Sequence, residues 1–189
     1  SRSIMKKKLI IIISIISAFF IIGLGVSLKM KEGYTLSTDK EIIEVMGKIV
    51  NNIPDAVEIL QKRIYKNEDN QLMLVVVRSQ GMKILQIFQE NEYQRYEEYY
   101  NYILDDKTVL MLTDSRHKST YVICNNEFRQ IAGISVISET DVSGTKPIMT
   151  SGKYIIECYN IIDEAMFINL VDENGDIIEN FSFAQETIR

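Results

Sequence analysis

Three kinds of residue in this chain could do chemistry: one histidine, two cysteines and several close-set carboxylates. His117 lies in Asp114-Ser-Arg-His-Lys-Ser119, which brings a serine, an imidazole and a carboxylate together in sequence. These are the types of a hydrolase triad, where the carboxylate orients the imidazole and the imidazole takes the nucleophile's proton. A triad converges from separate elements, however, and no glycine-flanked nucleophile such as G-x-S-x-G occurs in the chain. The stretch therefore reads as a solvated hairpin turn. Asp105, Asp106 and Asp114 supply the carboxylates that general acid and base work would need, at a separation that only the fold can set.

Cys124 and Cys158 each close a strand-like run, Thr120-Tyr-Val-Ile-Cys124 and Tyr154-Ile-Ile-Glu-Cys158. On neighbouring strands they could form a disulfide, closing a loop of about 35 residues and stabilising by about 3–4 kcal/mol. The alternative is two buried thiols acting as small hydrophobes. One histidine and two distant cysteines do not make a zinc set, so no metal is expected, and no cofactor either. Asp172-Glu-Asn-Gly-Asp176 alternates oxygen-bearing side chains like a calcium loop, but Ile177 stands where an EF-hand needs glycine and Phe183 where it needs glutamate. Asn174-Gly175 predicts a type I′ hairpin turn instead.

The segment Glu92-Tyr-Gln-Arg-Tyr-Glu-Glu-Tyr-Tyr-Asn-Tyr102 is the candidate recognition surface, with Tyr93, Tyr96, Tyr99, Tyr100 and Tyr102 set among charges. Tyrosine offers a rigid apolar ring with a polar tip and is enriched at binding surfaces. As a strand, the run would put Tyr96, Tyr100 and Tyr102 on one face and Tyr93 and Tyr99 on the other. As a helix, it would line up Tyr93, Tyr96, Tyr100 and Ile103. The plainer reading is that the rings close the edge of a core.

These groups must be positioned by an α+β domain over residues 38–189. Ser37-Thr38-Asp39 can cap a helix whose stripe is Ile42, Ile43, Met46, Ile49 and Val50. Pro54 then suits the start of a second helix to about Lys66, with Val57, Leu60, Ile64 and Tyr65 on its buried face. From Gln71 the pattern turns to strands. Leu72 to Val77 and Met82 to Phe88 flank Ser79-Gln80-Gly81 as a hairpin, and the first, apolar on both faces, is expected to be central. Further strands are predicted over 93–103, 108–113, 120–124, 131–138, 153–159, 165–171 and 177–183. With no long helix between them, the sheet is expected to be mostly antiparallel, as a single sheet or a sandwich under one or two amphipathic helices.

Ahead of this domain, residues 9–28 form an uncharged apolar stretch. Twenty residues at 1.5 Å rise span about 30 Å, the thickness of a bilayer's hydrocarbon core and longer than a secretory apolar region. Arg2, Lys6, Lys7 and Lys8 precede it, so residues 1–8 are expected in the cytoplasm, 29–37 as a linker and the domain outside, in a single-pass membrane protein. The alternative is secretion after signal cleavage near Gly23, Gly25 and Ser27. Ser14 and Ala18 form a small-xxx-small pair through which two anchors could pack as a homodimer.

The whole chain carries −5, and the six positive and no negative charges of residues 1–31 leave −11 on residues 32–189. That sign argues against nucleic acid as a partner, since binding it needs a basic face. Abundant isoleucine, scarce alanine and absent tryptophan fit an AT-rich bacterial coding sequence. The expectation is an anchored, extracytoplasmic and non-catalytic interaction module of the bacterial envelope, binding another envelope protein or acting as sensor or accessory subunit. The alternative is a cell-wall or peptide hydrolase using the carboxylates named above.

Overall fold

The computed structural model describes residues 32–51, 53–66, 70–104, 109–127, 131–138, 146–147, 152–160, 166–182 and 186–188. The expected cytoplasmic residues 1–8, the anchor 9–28 with Ser14 and Ala18, the start of the linker, and Asp105 and Asp106 lie outside them. Among the described residues, no helix is long and apolar enough to cross a membrane.

Helix α1 (Asp39–Ile49) begins as its sequence dictates, with a reciprocal cap. Thr38 Oγ1 accepts from the Glu41 amide at 3.3 Å, and Glu41 Oε2 accepts from the Thr38 amide at 2.9 Å. Ile42, Val45 and Met46 are buried, and the helix stops where Asn51 takes a left-handed φ of 54°.

The predicted second helix is instead a short 3₁₀ turn, Pro54–Ala56, followed by strand β1 (Val57–Lys66). A bulge between Ile59 and Gln61 explains the misreading. The extra residue places the buried Val57 and Leu60 three apart, which imitates a helical stripe. After the bulge the strand alternates strictly. Lys62 reaches back to Asp39 of α1, while Gln61, Arg63 and Tyr65 reach the other way, to Tyr154, Glu157 and Ile156.

Strands β2 (Gln71–Ser79), β3 (Met82–Glu90) and β4 (Tyr96–Ile103) continue from β1 as an antiparallel meander in the order β1-β2-β3-β4. The β2–β3 turn is the predicted hairpin. Its two residues, Gln80 and Gly81, have φ of 48° and 82°, the paired positive angles of a type I′ turn. A second sheet holds β5 (Val109–Asp114), β6 (Ser119–Asn125), β9 (Tyr154–Tyr159) and β12 (Glu186–Ile188), ordered β12-β5-β6-β9, with β12 parallel to β5. A third holds β7 (Gly133–Ser138), β8 (Lys146–Pro147), β10 (Met166–Val171) and β11 (Ile177–Ser182), ordered β11-β10-β7-β8.

Alternation along these strands builds a stack rather than one sheet. Met73, Val75, Val77 and Phe88 pack under α1, whereas Leu72, Leu74, Val76, Leu85 and Ile87 on the opposite face meet Leu110, Leu112, Tyr121, Ile123 and Ile156 of the second sheet. The second sheet's other face, with Val109, Met111, Val122 and Ile155, meets Ile134, Val136, Ile168 and Leu170 of the third. The layers therefore run α1, first sheet, second sheet, third sheet. Both inner sheets are covered on two faces, which is why Leu72–Val77 of β2, Val109–Leu112 of β5 and Tyr121–Cys124 of β6 are unbroken apolar runs. The fold is mostly antiparallel β with one helix among the described residues.

The Asp172–Asp176 loop between β10 and β11 is a turn, as expected, but not of type I′. Only Gly175 has a positive φ, 85°, and Asp172 Oδ1 instead accepts from the amides of Asn174 and Asp176 at 2.8 and 3.0 Å. A bulge at Leu170/Val171 lengthens the connection and makes this geometry the better fit.

Candidate functional site

The cysteines are separated by the register. Cys124 pairs with Ile155 and Tyr121 with Cys158, so the two lie three positions apart, about 10 Å along the strands. They also face opposite ways, Cys124 into the core against the third sheet and Cys158 toward the first. Both are thiols, and the disulfide that neighbouring strands could have allowed does not form in this arrangement, since a bridge needs Cα atoms within about 7 Å and converging side chains.

The five tyrosines do not form one surface either. A bulge opposite Ile87/Phe88 makes Tyr99 the extra residue of β4 and reverses the alternation there. Tyr96 consequently packs in the core beneath α1, while Tyr99, Tyr100 and Tyr102 lean on the core between the first and second sheets. The expectation that Tyr96, Tyr100 and Tyr102 share a face is thereby corrected. Tyr93 sits, half-buried, in the turn before β4.

Tyr99 leads to the chemical centre of the molecule. Its hydroxyl donates to Asp114 Oδ1 at 3.0 Å, and burial first, that bond second, push the hydroxyl up to about 12. Asp114, the last residue of β5, is completely buried and accepts from three further donors. These are the Arg116 and His117 amides at 3.0 and 3.2 Å, on Oδ1, and His117 Nδ1 at 2.7 Å, on Oδ2. The Tyr99 ring meets the imidazole edge-on, with centroids 5.1 Å apart, and the Arg116 guanidinium lies 5.5 Å from the same ring.

The hairpin turn predicted at Asp114–Ser119 is therefore present, but His117 is not solvated. Its side chain is only 2 % exposed, because Asp114 points inward from the strand end and draws the imidazole after it. The missed signal was the i, i+3 spacing of Asp114 and His117 across a tight turn, the separation at which a strand-end carboxylate can reach a turn residue. Ser119, the triad-like serine, donates instead to the His117 carbonyl at 3.1 Å.

With Nδ1 held by Asp114, the imidazole has Nε2 left, and this buried atom has no partner among the described residues. His117 lines a cleft of about 730 Å³ together with Tyr65, Leu72, Tyr121 and Cys158. Lys66, Lys118, Asn70 and Asn160 also border it. Tyr65 and Tyr121 stand with ring centroids 6.2 Å apart, and burial raises both hydroxyls well above the ordinary tyrosine value. No group of three or more histidine, cysteine or acidic side chains that could hold a metal occurs among the described residues. The arrangement orients the imidazole in the wall of the cleft, with Nε2 itself closed off from solvent. A nucleophile within hydrogen-bond reach of Nε2 is not part of it among the described residues.

No protein-family model, curated protein or solved structure matches the chain.

Proposed function

We propose that the protein is a membrane-anchored, extracytoplasmic binding module of the bacterial envelope that holds a partner or ligand without turning it over. The observation that carries the binding reading is the cleft: a carboxylate-held imidazole at its wall, with no hydroxyl, thiol or carboxylate in hydrogen-bond reach of Nε2 among the described residues. The anchor rests on the uncharged apolar run 9–28 and its lysine-rich flank.

Co-purification of the full-length protein from its native membrane in mild detergent tests the reading, beside a form starting near Lys31. A stoichiometric envelope protein recovered with both forms supports a module whose folded domain makes the contact. Recovery of the full-length chain in the soluble fraction removes the anchor from the proposal.

Hydrolysis of a cell-wall or peptide substrate is the second reading, favoured by the Asp114–His117 pair, which has the geometry of an oriented general base. Asp114 itself is too enclosed to meet substrate. Turnover of such a substrate that disappears in His117→Gln would establish the enzyme.

A further inference from the structure

We propose that a second cavity, on the α1 side of the first sheet, binds the free amino terminus of a peptide whose first residue is aliphatic. The cavity holds about 320 Å³ between residues 35–37, ahead of α1, and the end of the sheet where β1 turns into β2. That is a size at the lower limit of small-ligand sites. Glu90 pairs with Tyr96, and Gln71 precedes Leu72, which pairs with Gln89, so Gln71, Glu90 and Tyr96 stand in one row across β2, β3 and β4. The Gln71 amide donates to the Tyr96 hydroxyl across the strand that carries Glu90. The next row on this face, about 7 Å along the strands, holds the pair Ile64 and Met73. Leu36 lines the cavity with them. A polar row beside an apolar one suits a ligand with a charged head and a short hydrocarbon chain.

The sign of the head follows from Glu90. It is half-buried and makes no hydrogen bond or ion pair among the described residues. Lys62, which also lines the cavity, is held by Asp39, and Lys66, at the end of the polar row, borders the His117 cleft on the other side of the sheet. A partly enclosed carboxylate gains most from an ammonium, through a charge-assisted hydrogen bond, and Gln71 Oε1 can accept a second ammonium proton. Tyr96 supplies a donor beside these acceptors. Burial, opposed by the Gln71 bond and assisted by the Glu90 charge, raises its hydroxyl above the ordinary tyrosine value. The hydroxyl therefore keeps its proton and, having accepted from Gln71, donates it to a ligand carbonyl. An ammonium one carbon from a carbonyl is the amino terminus of a peptide. Its first side chain then covers Ile64, which is 51 % exposed.

The inference goes beyond the binding-module reading and rests on neither the anchor nor the His117 cleft, so a failed co-purification leaves it standing. The test is isothermal titration of the full chain, in mild detergent, with the tripeptide Leu-Gly-Gly, its N-acetyl form and isoamylamine in turn. The free tripeptide is expected to bind and N-acetylation to weaken it about tenfold or more. Isoamylamine keeps the ammonium and the side chain without the carbonyl, and is expected to bind about fivefold more weakly than the tripeptide. Glu90→Gln keeps the shape of the wall and lowers affinity about tenfold, while its melting temperature stays within about 2 °C of wild type because no partner of the carboxylate is lost. Tyr96→Phe keeps the ring in the core and lowers affinity about fivefold. No binding of the free tripeptide, equal binding of its acetylated form or of isoamylamine, or unchanged affinity in either variant overturns the inference.

Discussion

Replacing Asp114 with alanine tests whether one buried carboxylate holds the β5–β6 turn, the imidazole and β4 together. Asp114 accepts from Tyr99, Arg116 and both the amide and ring of His117, and none of its surface reaches solvent. Orphaning a buried donor costs about 1–3 kcal/mol, and water entering the space left by the carboxylate restores part of it, so the total should be about 3–5 kcal/mol. For a domain of this size each kcal/mol moves the melting temperature by about 2–4 °C, which predicts a fall of about 6–20 °C. Tyr99→Phe removes one donor of the four and should cost about 1 kcal/mol. Once alanine replaces Asp114 that bond no longer exists, so the double variant should be less destabilised than the sum by about 1 kcal/mol. Thermal and urea unfolding of the four proteins, followed by circular dichroism, measure all of this. A melting temperature of Asp114→Ala within about 2 °C of wild type, or simple additivity with Tyr99→Phe, would refute the carboxylate as the hub.

Other consequences are as direct. Glu127 binds Lys83 and Arg78, whose hydrogen bonds hold its carboxyl below the usual 4.5 against the opposing effect of burial. Its stabilisation is thus complete above that value and lost as pH falls through the lowered one, so Glu127→Gln should melt earlier at pH 7 yet converge with wild type in acid. Thr38→Ala removes half of the reciprocal cap and should cost about 1 kcal/mol, seen as faster amide exchange in the first turn of α1. Gly33→Ala forces a side chain onto a backbone with φ 87°, its Cβ 2.8 Å from the Tyr96 carbonyl oxygen, and should expose residues 32–37 to limited proteolysis. Cys158 should react with a maleimide in the native state, whereas Cys124, completely buried, should require denaturant, and intact mass should be unchanged by reductant.

What could be read from the sequence was whatever obeys a single period. The cap at Thr38, the stripe of α1, the turn at Gln80-Gly81 and the central place of β2 all follow from local rules that the fold respects. Where a bulge adds one residue, the rule fails: β1 imitates a helix, and β4 moves Tyr96 to the opposite face from Tyr100. The site failed for another reason. Asp114 and His117 look like turn polars, and only the position of Tyr99, fifteen residues earlier on another sheet, shows that they are enclosed. The stacking of three sheets could not be read at all, because apolar two-faced strands signal double burial without saying what covers each face.

The segment ahead of α1 is fastened to the first sheet. Tyr34 exchanges two backbone hydrogen bonds with Tyr96, at 2.7 and 2.9 Å, its hydroxyl donates to Glu98, and two nitrogens of the Arg95 guanidinium donate to the Gly33 carbonyl. Tension applied to the chain before Gly33 would therefore enter the domain along the edge of β4 and fall first on this small set of bonds. The arm is also part of the core beneath α1, where Leu36 is buried and the Tyr34 ring meets Phe88 edge-on with centroids 6.3 Å apart. Load entering at Gly33 would therefore pass from these bonds straight into the packing between the helix and the first sheet.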